Sequence, residues 1–159
     1  MNKNIEEAKK YIDSINFASL IDKLVNHSGW LRSDALETCE QYKNFLFLHK
    51  KYPEQNFPPS EDIDEFWHNH ILDTNAYIKD CEMIFGRYLH HYPYFGIDGK
   101  SNMNDLYNAF EKTQEIYSKE FGSRIEATRS RFPHFIYYIL IRFEKIYRKF
   151  SRNSLALNV

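Results

Sequence analysis

Apolar residues recur every three or four positions along most of this chain, and only five glycines and five prolines interrupt its 159 residues. A helix buries one stripe at that spacing, whereas strands need alternation and frequent turns. In Ile5, Ala8, Ile12 and Ile15 the stripe is plain, and Phe17, Leu20, Ile21, Leu24 and Val25 repeat it behind a capping Asn16. The reading is all-α: an irregular bundle of six to seven helices in a single domain, 1–159. A chain of this length buries about two thirds of its unfolded surface and needs no staple.

Local punctuation places the helix ends. Gly29 stops the second helix, and Ser33 is expected to cap a third whose inner face reads Leu36, Cys39, Tyr42, Phe45 and Leu46. The loop PEQNFPPS follows, then Ser60 as an N-cap with Glu61 and Asp62 in the first turn of a helix running to about Leu72. Asp73-Thr74 caps the next helix, Asn75 to Phe85, which Gly86 ends. An ordered loop, RYLHHYPYFGIDGKSN, leads to a helix over Ser101–Phe121, with Met103, Leu106, Tyr107, Phe110, Ile116 and Tyr117 partly inward. Residues 129–151 read as an amphipathic closing helix, basic through Arg142, Lys145, Arg148 and Lys149.

Charge narrows the partners. From Glu120 onward there are eight basic and three acidic residues, net +5; the preceding residues hold 13 and 19, net −6. The acidic excess over most of the chain argues against a nucleic-acid partner, while the basic closing helix offers a protein-partner surface. The longest apolar run, FIYYILI, is far too short for a membrane span. No signal peptide opens the chain, and two cysteines far apart in sequence fit a reduced, cytoplasmic protein.

The chemistry concentrates in EDIDEFWHNHILDTNAYIKDCEMIFGRYLHHYPYFG, where four of the seven histidines fall within 36 residues. At about 100° per residue, Ile63, Trp67 and Ile71 form the inward stripe. Asp64 and His68, four apart, share one flank. His70 falls on the other, so an unbroken helix does not easily aim His68 and His70 at one ion. Further ligands would come from Asp80 or from His90 and His91 in the loop. Imidazole and carboxylate together suit a divalent ion, with zinc, iron and copper not distinguished. Such a site could activate water or dioxygen, or Asp64 could instead orient an imidazole. The candidate ligands are therefore Asp64, His68, His70, His90 and His91, with Trp67, Tyr77, Asp80 and Cys81 as candidate lining. Each also has a structural reading: His68 and His70 as hydrogen-bonded histidines, Asp80 bonding loop backbone, Trp67 and Cys81 as core. His27, His49 and His134 read as structural, since no acidic cluster surrounds them.

The same residues resemble a known signature. The pattern D-x-x-W-H-x-H-x-L, then Tyr, D-C, F-G and a downstream His is that of the glycine-rich-domain-protein-like family, a domain of unknown function. It corresponds here to Asp64, Trp67, His68, His70, Leu72, Tyr77, Asp80, Cys81, Phe85, Gly86 and His90 or His91. With flanking pieces the resemblance covers about Cys39 to Gly122. It implies that these residues form one constellation and assigns no reaction; this chain carries no glycine-rich tail.

Two functions follow as expectations. One is a small metal-binding helical protein, an enzyme acting hydrolytically or by redox chemistry on a small molecule or peptide. The other is a non-enzymatic helical interaction module whose histidines are structural.

Overall fold

The structure, a computed structural model, describes residues 3–129 apart from residue 98. Six α-helices and no strand occur among the described residues: α1 (Lys3–Ser14), α2 (Ala18–Ser28), α3 (Arg32–Lys51), α4 (Glu61–Leu72), α5 (Thr74–Phe85) and α6 (Met103–Phe121). The fold is all-α. The closing helix expected over 129–151 lies outside the described residues except for Arg129, which sits in a bend.

α3 is the organising element, packing against α1, α2, α4 and α6. Its buried residues run almost around its circumference, from Ala35, Thr38 and Gln41 to Phe45, Phe47 and Leu48. A helix enclosed by four others has no single apolar stripe. For that reason the expected inner face is only partly right: Tyr42, Phe45 and Leu46 are fully buried, but Leu36 is 51% exposed. Leu31 occupies the N-cap of α3 without a side-chain bond, so Ser33 lies two residues too late to cap it. At α6, Met103 and Tyr107 are exposed and not inward, and the helix packs through Thr113, Gln114 and Tyr117.

The other ends follow local chemistry. The Ser60 side chain accepts a hydrogen bond from Ile63 N, and the Asp73 side chain accepts one from Ala76 N. Asn102 and Asp105 form a reciprocal capping box at α6. Gly29, Gly86 and Gly122 take the left-handed conformation that closes α2, α5 and α6. No helix among the described residues is long and apolar enough to cross a membrane.

Beyond α6 the chain folds back without regular secondary structure. The Gln114 amide exchanges two hydrogen bonds with the Ile125 backbone, at 2.7 and 2.9 Å. Asp62, at the start of α4, then accepts bonds from Thr128 N, Thr128 Oγ1, Arg129 N and Arg129 Nε. The Arg129 guanidinium lies over the Trp30 ring, 4.0 Å from its centroid, and also reaches Glu65. This latch fixes the N-terminal half of α4, the half that carries Asp64.

Candidate metal centre

α4 separates two sets of polar side chains. One flank presents Asp64 and His68 toward a cavity of about 420 Å³. The other turns His70 into the core, where it is 2% exposed. Two residues of helix rotate a side chain by about 200°, which is the physical reason for the split.

On the cavity side, Asp64, His68 and His91 each bring one potential ligand atom within 4.8 Å of the others. His91 Nε2 is 2.8 Å from Asp64 Oδ1, and His68 Nδ1 is 3.5 Å from Asp64 Oδ2. The two imidazole rings lie 4.5 Å apart, centre to centre. Of the five candidate ligands these three converge. His90 lines the same cavity with its ring against Tyr88, outside the cluster. His70 does not belong to it at all.

His91 comes from the loop after α5, and a relay of buried groups holds that loop. Trp67 Nε1 donates to the Tyr77 hydroxyl at 2.9 Å, and Tyr77 donates to the Leu89 carbonyl at 2.6 Å. Leu89 is itself buried, two residues before His91. The Trp67 ring meets His91 edge-on at 4.7 Å. Trp67 and Tyr77 therefore position the site from behind. Cys81 is buried beside this relay, and burial pushes its thiol up despite hydrogen bonds with Leu89 and Tyr77. The thiol packs in the core there.

On the core side, His70 Nδ1 pairs with the Tyr42 hydroxyl at 2.9 Å and Nε2 with Asp80 Oδ2 at 3.1 Å. Asp80 also accepts from Tyr11 at 2.7 Å. Burial opposes ionisation of Asp80, but the bonds from His70 and Tyr11, with the charges of His70 and Lys79, outweigh it and hold the carboxyl below its ordinary value. An ionised Asp80 only accepts, so Nε2 of His70 carries a proton toward it, and Nδ1 is engaged by the Tyr42 hydroxyl. With both nitrogens engaged, His70 ties α3, α4, α5 and α1 together and has no lone pair for an ion.

His49, read from the sequence as structural, also lines the cavity. Its ring packs edge-on against Phe45 at 4.6 Å and Phe57 at 5.4 Å. Its Nε2 is sealed from solvent without a hydrogen-bond partner. Burial, with a smaller effect of the Arg87 charge, pushes its pKa down to about 4 from 6.5. The only sequence signal was position: residues 45 and 49 share a helix face, and the paired prolines bring Phe57 back over it.

A pH dependence follows. Between about pH 6.5 and pH 4 the unfolded chain binds a proton at His49 that the folded chain does not. Unfolding free energy therefore falls as pH drops through that window, by about 2–3 kcal/mol from this group. Urea titrations at pH 7.5 and pH 4.5 check this: His49→Phe should lose that share of the acid destabilisation. An unchanged difference between the two pH values would remove His49 as its source.

Comparison with known proteins places the chain. A family model described as UCP032817-like matches residues 7–115. Glycine-rich domain-containing protein 1 of Arabidopsis thaliana is 32% identical over 92 residues, 55% of this chain and 11% of that protein. Glycine-rich domain-containing protein 2 of the same plant is 30% identical over 92 residues, again 55% of this chain and 11% of the relative. A Dictyostelium discoideum protein named putative mediator of RNA polymerase II transcription subunit 15 is 26% identical over 148 residues, 86% of this chain and 16% of that protein. The chain thus spans between about a tenth and a sixth of the length of these relatives. No solved structure matches it significantly.

Proposed function

The chain belongs to the UCP032817-like family, and we propose that Asp64, His68 and His91 bind one divalent metal ion at the floor of the cavity. The convergence of these three side chains carries the reading. Two imidazoles and one carboxylate leave coordination positions open, a donor set that suits zinc or ferrous iron. An ion held there supplies Lewis-acid polarisation of a bound molecule or activation of a bound water. The ligands come from two elements, α4 and the loop after α5, so the ion would also staple that loop. An enzymatic role, hydrolytic or redox, follows from the open positions facing a cavity of ligand size.

Metal titration of untagged, metal-stripped protein tests this. One equivalent of Co(II) or Zn(II) should bind. His91→Ala and His68→Ala should each weaken binding on the order of 100-fold or more, beyond what loss of an outer partner costs. Folding should survive His68→Ala, since its side chain is 47% exposed. Co(II) should also quench Trp67, whose ring abuts His91. Sub-stoichiometric binding, or binding indifferent to His91, overturns the reading.

An interaction module is the second reading. Exposure of Tyr94, Ile97, Met103 and Tyr107 beside the cavity loop favours it. The metal titration separates the two, because an interaction module has no need of a stoichiometric ion.

A further inference from the structure

The walls of the cavity restrict what the open coordination positions would meet, and this inference rests on the metal reading above. We propose that the cavity takes a flat, single-ring aromatic monoanion that chelates the metal through its polar head. Three observations converge on that class.

The first is shape. Rings dominate the wall, among them Phe57, Pro58, Trp67, Tyr92, Pro93 and Phe95. Aromatic and prolyl faces favour a planar partner in offset or edge-on contact.

The second is size. A cavity of about 150 Å³ suffices for one benzene ring. The roughly 420 Å³ here accommodates a ring, a chelating head and its approach to the floor.

The third is charge. Among the described residues, no lysine or arginine lines the cavity. Phosphate and dicarboxylate sites ordinarily supply an arginine fork or a lysine. A divalent ion offset by the single carboxylate of Asp64 leaves one positive charge, which one anionic head neutralises.

The test uses the full chain loaded with one equivalent of Co(II), whose visible bands report the metal directly. Benzohydroxamate and acetohydroxamate share one chelating head and differ in ring against methyl. Benzohydroxamate should shift the bands at least ten-fold lower in concentration than acetohydroxamate, and inorganic phosphate should not shift them. Tyr92→Ala and Phe95→Ala should reduce the ring preference at least three-fold while leaving the Co(II) bands in place. Tyr92 is exposed and Phe95 only half-buried, so both variants should fold. Equal affinities for the two hydroxamates, phosphate binding, or a ring preference that survives both substitutions overturns this inference alone. Absence of Co(II) bands before any chelator overturns the metal reading and this inference with it.

Discussion

His70→Ala should lower the unfolding free energy by about 3–5 kcal/mol, whereas His68→Ala, two residues away, should change it by less than about 1 kcal/mol. The asymmetry comes from what each ring touches. His70 is fully enclosed, with Phe17 and Tyr77 edge-on at 4.9 and 5.0 Å and its nitrogens bonded to Tyr42 and Asp80. Truncation leaves a void, a Tyr42 hydroxyl without its imidazole partner and a carboxylate that keeps the bond from Tyr11. His68 stands at the edge of the cavity, where water replaces its contact with Asp64. Equilibrium urea denaturation of the two variants without metal, at pH 7.5, checks the contrast. A His70→Ala loss below about 1 kcal/mol would mean that this polar cluster is not what ties the four helices together.

The second large effect is expected at Asp62, where Asp62→Ala should cost about 3–5 kcal/mol. This carboxylate is 1% exposed and accepts from two backbone amides, a hydroxyl and a guanidinium. Its removal strands the Thr128 and Arg129 amides and leaves Arg129 to Glu65 and the Trp30 face alone. Asp62→Asn should recover part of the loss, since an amide oxygen still accepts from the backbone but no longer balances the guanidinium. Chemical denaturation with an unchanged slope is the measurement. Hydrogen exchange should show the 123–129 segment losing protection first. If that segment stays protected in Asp62→Ala, the Gln114–Ile125 exchange holds it by itself.

Together these results would divide the W-H-x-H signature by role. Trp67 and Tyr77 aim the loop that delivers His91; His70, Tyr42, Asp80 and Tyr11 secure the core beneath it; Asp64, His68 and His91 face the cavity.

What the sequence by itself determined was whatever physics acts within a turn or two of helix. Periodicity marked the six described helices, and short-range capping by Ser60, Asp73 and the glycines after α2, α5 and α6 set most of their ends. The 100° step per residue already placed Asp64 with His68 and turned His70 away. The tertiary structure alone decided which flank met a void and which met the core, because that depends on partners 28 residues back at Tyr42 and 23 residues on at His91. It alone surrounded α3 with four helices and so erased the single inner face expected there. It alone folded the loop of Phe57, Pro58 and Pro59 against His49 to form the cavity wall, on a path no local rule encodes. Burial and long-range hydrogen bonding are properties of the assembled chain, and the division between core histidine and site histidine is drawn at that level.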